Sequence, residues 1–286
     1  MSSRSDPPAP PSVGRLEKYV LAVANAEGVA APRVRHWVSF MMLCGALDRA
    51  SVSQGGRRCV VKGGVALELR IRGRARATQD LDVVIECEEH ELVTALDEAL
   101  RTPYGGCTFT RRSTVLPLRP NGVRVEVQVA YRTQRWATVK LDVTPPDAAM
   151  EEERVAAISL APFGLVGPES VPCLSLRYHI AQKFHGLTKV HDDGTEHDRY
   201  RDAIDLLLLQ PLIDRSNLSE VRAACEETFR VRAERRWPPV IALPERWRGP
   251  FATDARAVAL DIVDLVEAES ALRAFVSEIC ASADGP

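Results

Sequence analysis

Apolar residues recur along the chain with two periods, and the changes of period mark its organisation. Between residues 14 and 27, Leu16, Val20, Val23 and Ala24 share one helical face, and Gly28 supplies a stop. Residues 32–49 predict a second helix, with Val34, Trp37, Val38, Met41 and Met42 on one side. Nothing in this pair demands chemistry, so it reads as a packing platform. From Cys59 the period shortens. Cys59-Val60-Val61-Lys62 is a short apolar strand that ends in Gly63-Gly64, and residues 64–69 are helical again through Ala66, Leu67 and Leu69. A strand over 81–86 and a helix over 90–101 follow, then strands over 107–111, 123–130 and 137–143. The run from Val123 to Val129 alternates with period two, as a half-buried strand does, and Asn121-Gly122 is a hairpin turn signal before it. Prolines and glycines from Pro145 to Pro172 predict an irregular connection. Past Leu174 the helical period returns, with Leu176, Ile180, Phe184 and Leu187 as one stripe and further helices over 203–208, 217–236 and 252–280.

This layout predicts an α/β (α+β) fold: N-terminal helices, a small mixed sheet and a helical C-terminal half. The boundaries it suggests are a disordered proline-rich leader over 1–12, a first domain over 13–150 and a mainly helical domain over 151–286.

Composition narrows the function classes. The chain has 286 residues, 45% of them apolar, enough to bury a core. A formal net charge of -2 argues against non-specific coating of nucleic acid but leaves room for a local basic groove. No apolar run is long enough to span a bilayer. The seven cysteines are odd in number and scattered, with no CxxC pair, which predicts reduced thiols in a cytoplasmic protein rather than disulfides or a structural zinc site.

The candidate chemistry lies where strands end. Gly63-Gly64, between a strand and a helix start, lets the backbone approach a phosphate while the helix N-terminus offers unpaired N–H donors. Asp80 and Asp82 open the next strand and, two residues apart, point to one face. Paired carboxylates ahead of an apolar strand need a cation between them. Mg²⁺ (or Mn²⁺), which takes hard oxygen ligands and keeps positions for substrate phosphates, is the expected one. A third carboxylate is expected from Asp142, at the end of an apolar strand, with Glu126 as its competitor. Arg70, Arg72, Arg74 and Arg76, with Arg111 and Arg112, read either as a clamp on RNA phosphates or as solvated surface. The same choice applies to Arg230, Arg232, Arg235 and Arg236. His185, His191 and His197 lack metal spacing and read as core or surface histidines.

Segments in order along the chain resemble the AbiEii/MenT group of nucleotidyltransferase toxins, from type IV-like toxin–antitoxin systems within the DNA polymerase β-like superfamily. They are Lys62-Gly-Gly-Val-Ala-Leu-Glu-Leu-Arg, Ala77-Thr-Gln-Asp-Leu-Asp-Val, Ile180-Ala-Gln-Lys-Phe-His and Asp198-Arg-Tyr-Arg-Asp-Ala-Ile-Asp-Leu. Val171-Pro-Cys and Arg236-Trp-Pro-Pro add a likeness to mycobacterial MenT toxins. The resemblance implies a polymerase β-like core and transfer of a nucleotide, often a pyrimidine, from an NTP to the 3′ end of tRNA, which blocks aminoacylation. By position it implies that Lys62, Gly63 and Gly64 hold the triphosphate, Asp80 and Asp82 bind the metal, Lys183 contacts nucleotide phosphates, and Asp205 fills the remaining acidic position. Thr78 matches a Ser/Thr that a kinase-like antitoxin can phosphorylate. The partners implied are the tRNA acceptor end, NTP and a cognate antitoxin, around a monomer with no membrane span. The chain departs from the superfamily in carrying Gly64 where a serine is usual, so the phosphate cradle loses a hydroxyl. Two other readings stay open on the residues alone: transfer of NMP or phosphate to a protein, and a non-catalytic nucleotide-binding protein.

Overall fold

The computed structural model describes residues 6–53, 56–73, 75–147, 150–188, 199–233 and 236–282. Arg74, His191, His197, Asp198 and Arg235, all singled out above, lie outside the described residues. The chain divides into two compact units. The first comprises residues 1–70, 77–146 and 154–173, and the second 71–76, 147–153 and 174–286.

The first unit is built on strands β1 (Cys59–Lys62), β2 (Asp80–Ile85), β3 (Cys107–Pro117), β4 (Val123–Tyr131), β5 (Gln134–Thr144), β6 (Glu152–Ala156) and β7 (Ser170–Leu174). They form one mixed sheet in the order β3-β4-β5-β2-β1-β7-β6. β2 runs parallel to β5 and β1 parallel to β7, whereas β1·β2, β3·β4 and β4·β5 are antiparallel. The helices are α1 (Val13–Glu27), α2 (Ala31–Ser53), α3 (Gly63–Ile71) and α4 (Leu92–Leu100).

Alternation decides which sheet face is covered. Leu81, Val83 and Ile85, with Val125, Val127, Val129, Val139, Leu141 and Val143, are buried in one core with Leu16 and Val20 of α1, Val34 and Val38 of α2, Val65 and Leu69 of α3, and Leu96 of α4. The intervening residues of the same strands, Asp80, Asp82, Arg124, Glu126, Lys140 and Asp142, therefore share the opposite face. An ion pair ties α2 to α3: Arg33 Nη2 reaches both oxygens of the buried Glu68, at 2.9 and 2.8 Å. The stop at Gly28 is as expected, with φ 66°.

Two expectations change here. Residues 6–12, read as disordered leader, are held by the first unit. Tyr131 Oη and Arg132 Nε donate to the Pro10 carbonyl at 2.8 and 3.1 Å, and Ser12 caps α1 by accepting from Arg15 N. The connection read as irregular contributes β6 and β7, each of five residues and β7 interrupted by Pro172, too short for a period to show. The chain passes between the two units at Pro146/Asp147, Glu153/Arg154 and Cys173/Leu174.

The second unit is helical: α5 (Leu176–Thr188), α6 (Tyr200–Leu209), α7 (Leu218–Arg232), α8 (Arg248–Ala257) and α9 (Leu265–Ala281). The expected single helix over 252–280 is thus two helices, and Asp264 caps the second by accepting from Val266 N and Glu267 N. Phe184, Phe229, Phe275 and Trp237 pack with ring centroids 5.4–5.6 Å apart. Among the described residues, no helix is long and apolar enough to cross a membrane.

Candidate active site

The first unit gathers Lys62, Gly63, Gly64, Thr78, Asp80, Asp82 and Asp142 around the junction of β1, α3 and β2. The register of the sheet explains why. Asp82 lies opposite Lys62 across β1·β2 and level with Asp142 across β2·β5, and Asp142 lies opposite Arg124 across β4·β5. One row across four strands thus reads Arg124, Asp142, Asp82, Lys62. Asp80 belongs to the next row, with Lys140 and Glu126.

Arg124, Lys62 and Glu126 in these rows each have a partner. Arg124 forks onto Asp142, Nε to Oδ1 at 2.7 Å and Nη2 to Oδ2 at 2.8 Å, and its Nη2 lies 3.7 Å from Asp80 Oδ2. The Asp142 bond, against the cost of burial, raises the Arg124 pKa, and the charges of Asp142, Asp80 and Asp82 add to it. Lys62 Nζ donates to Thr144 Oγ1 at 2.8 Å. Glu126 is ion-paired with Arg112 at 2.8 Å. Of the two candidates for a third carboxylate, Asp142 is therefore level with Asp82 and Glu126 stands one row away.

The glycine pair is shaped by its neighbours. Gly63 adopts φ +62°, a left-handed conformation that L side chains rarely take, and Asp82 Oδ2 fills the space a Cβ there would need. At Gly64 a Cβ would lie 2.7 Å from Thr78 Oγ1 and 2.8 Å from Thr78 Cβ. Thr78 thus places its own hydroxyl beside the first turn of α3, where the glycine offers none. That hydroxyl donates to the Asp80 carbonyl at 3.1 Å.

The donor set fits a divalent ion. Asp80 Oδ1 is buried and has no hydrogen-bond partner, an expensive state for a carboxylate oxygen unless a cation meets it. Asp82 is two residues along on the same face and aimed at the glycine turn. Among the described residues no three His, Cys, Asp or Glu side chains converge as a complete metal cage. Asp142 is engaged by Arg124, so waters and substrate oxygens would have to complete the coordination, as is usual for Mg²⁺.

The second unit holds Lys183 and Asp205. Lys183 Nζ, on α5, lies 2.7 Å from Asp202 Oδ1 and 2.7 Å from Asp205 Oδ2, both on α6. Asp205 is fully buried and also accepts from Arg76 Nε at 3.3 Å, and Asp202 meets Arg199 at 3.3 Å. Burial alone would lower the Lys183 pKa; Asp202 and then Asp205 outweigh it and raise it, so the ammonium stays charged.

Several basic and histidine candidates resolve as structural. Arg76 is committed to Asp205, Arg111 forks onto Asp97 at 2.8 Å, Arg112 meets Glu126, and Arg232 bonds Asp147 at 2.8 Å. Each of these four is paired with a carboxylate. His185 is buried edge-on against Phe229, with centroids 5.2 Å apart, as a core histidine. Sequence reasoning missed Arg124, whose strand looked merely amphipathic, and His36 on α2. Burial first, then Arg35, lowers the His36 pKa, while Asp80 and a hydrogen bond to the Thr78 backbone oppose the shift. Only the register of β4 on β5 could have found Arg124, and no local pattern marks His36.

A mixed sheet with its acids at the mouth of a glycine turn defines a nucleotidyltransferase core. The family model described as nucleotidyl transferase AbiEii toxin, type IV TA system, matches residues 45–279, and the chain belongs to that family. It is a nucleotidyltransferase toxin of AbiEii type. Among solved structures it is similar to MenT4, a nucleotidyltransferase toxin from Mycobacterium tuberculosis, at 18% identity and TM-score 0.56, over 95% of this chain and 90% of that one. JHP933 from Helicobacter pylori is more distant, at 17% identity and TM-score 0.43 over 84% of this chain and 89% of that one. No curated protein matches by sequence.

Proposed function

We propose that this chain transfers a nucleoside monophosphate, a pyrimidine by preference, from an NTP to the 3′ end of tRNA and so blocks aminoacylation. The observation that carries the reading is the pairing of the partnerless, buried Asp80 Oδ1 with an Asp82 carboxylate seated against the Gly63 turn. In this reading the backbone N–H groups at Gly63 and Gly64 donate to the triphosphate, helped by the positive end of α3. Lys62 and Lys183 balance phosphate charge. Asp80 and Asp82, with Asp142 as the third acid, would hold Mg²⁺ or Mn²⁺, which when bound would polarise the α-phosphate and steady the leaving pyrophosphate. Asp205 keeps Lys183 charged and aligned. The RNA 3′-oxygen bonds to the α-phosphorus, its proton passes to solvent, and the bond to the β-phosphate oxygen breaks.

Thr78 is the control point of this reading. A cognate antitoxin acting as a kinase on Thr78 Oγ1 would add about -1.5 to -2 charges beside Asp80. That charge repels the incoming triphosphate.

The deciding experiment incubates pure protein with tRNA, Mg²⁺ and each labelled NTP. Label on the RNA 3′ end, greatest with CTP or UTP and lost in Asp80→Ala, is expected. Label on protein and none on RNA would overturn the tRNA assignment. No label on either would overturn transfer itself.

A further inference from the structure

Arg124 holds a place that the proposed reading leaves unexplained. The forks of Arg111 on Asp97 and of Arg35 on Glu17 each tie down one carboxylate away from the candidate site. Arg124 instead stands between two acids assigned to one ion. It bonds both oxygens of Asp142 and brings Nη2 to 3.7 Å from Asp80 Oδ2. Its side chain is 41% exposed, so an incoming ligand can reach it.

Two cations cannot share this position without cost. The guanidinium offsets the repulsion among Asp80, Asp82 and Asp142, which is the electrostatic task of a divalent ion. It also takes up the carboxylate oxygens through which Asp142 would ligate. Arginine pairs equally well, in the same fork geometry, with phosphate oxygens. We propose that Arg124 is the resident cation of the ion-free site: a divalent ion must displace it from Asp80 and Asp142, and a triphosphate eases that step by taking the guanidinium. The inference rests on the reading of Asp80 and Asp82 as ion ligands. It adds that metal and nucleotide bind cooperatively through one side chain.

The test is Mn²⁺ binding to the full chain, followed by the electron paramagnetic resonance of free Mn²⁺ and by calorimetry, with and without a non-hydrolysable triphosphate. Arg124→Gln is expected to bind Mn²⁺ alone about tenfold more tightly than the unaltered chain, the size of effect that removing one neighbouring charge produces. The gain in Mn²⁺ affinity on adding the triphosphate should be smaller in the variant. Should Arg124→Gln misfold, Arg124→Lys keeps the charge but cannot fork, and is expected to bind Mn²⁺ a few-fold more tightly (roughly threefold). Equal or weaker Mn²⁺ binding by the folded variant overturns the proposal. Asp80→Asn separates the two levels. If Asp80→Asn loses Mn²⁺ while Arg124→Gln matches the unaltered chain, only the role of Arg124 falls. If Asp80→Asn binds Mn²⁺ as the unaltered chain does, the ion site itself falls.

Discussion

Asp82 Oδ2 fills the space that a Cβ on Gly63 would occupy, so the turn and the carboxylate fix one another. Gly28 isolates the backbone part of this relationship. It has nearly the same φ, +66°, with nothing within 4 Å of its missing Cβ. Both Gly→Ala changes carry the left-handed penalty of about 1–2 kcal/mol. Gly63→Ala must in addition displace Asp82, and a shift of that kind at a reacting centre costs about 100-fold in rate. The expected result is similar losses of thermal stability for the two variants and a collapse of nucleotide transfer in Gly63→Ala alone. Full transfer by Gly63→Ala would remove Asp82 from the site.

Gly64 and Thr78 are exclusive in a second way. A side chain at 64 would meet Thr78 Oγ1 at 2.7 Å and Cβ at 2.8 Å, closer than real carbon contacts come. Gly64→Ser alone should therefore lower transfer, by about tenfold or more, since the misfit lies beside the reacting groups. Adding Thr78→Gly, which removes the Cβ as well as the hydroxyl, should recover most of it. The measure is kcat/KM for the NTP in the four members of the cycle. Additive losses would mean that the two positions do not exchange one hydroxyl.

These pairs mark how far the sequence could be read. Gly63, Asp80 and Asp82 were legible because each sits at the end of an element with a clear period. Gly64 was legible as a missing hydroxyl, but its replacement by Thr78 depends on how the Ala77–Gln79 segment folds back on α3. That is a tertiary contact with no periodic trace. Arg124 was hidden for the same reason, since its partner is set by the register of β4 on β5. β6 and β7 were hidden by shortness, and the Lys183–Asp202–Asp205 group was visible only in part because Asp202 and Asp205 share one helix face.

Register also separates the two candidate third acids. Asp142 is level with Asp82, whereas Glu126 is paired with Arg112 and sits beside Lys140. Asp142→Asn keeps the shape and removes the charge, and is expected to lower kcat/KM about 100-fold. Glu126→Gln, at an exposed surface pair, should stay within about threefold. Comparable losses in both variants would mean that the whole polar face of the sheet acts, rather than the row through Asp82.

His36 gives a dependence on pH. Its folded pKa lies below 6.5, through burial first and the charge of Arg35 second. The unfolded chain therefore binds this proton more readily than the folded one. Stability attributable to His36 is present above the unfolded value and is lost as pH falls below about 6.5 toward the folded pKa. Melting temperatures of the unaltered chain and of His36→Gln should run parallel above pH 7 and converge or cross below pH 6. Parallel curves throughout would show that His36 titrates normally.

Lys183 and Asp205 test whether a group can be structural and functional at once. Asp205 is fully buried between Lys183 and Arg76, so Asp205→Ala leaves two cations sharing less negative charge and should cost about 3–5 kcal/mol. Such a loss would lower activity for a trivial reason. The combination Lys183→Met with Asp205→Leu removes the ammonium and its carboxylate together, and apolar replacements of a buried pair are often neutral. Urea unfolding of the double variant should recover part of the stability lost in Asp205→Ala. Transfer should stay at least about 100-fold down, because the proposed reading gives this ammonium the nucleotide phosphates. A stable double variant that transfers normally would reduce Lys183 to a bond between α5 and α6.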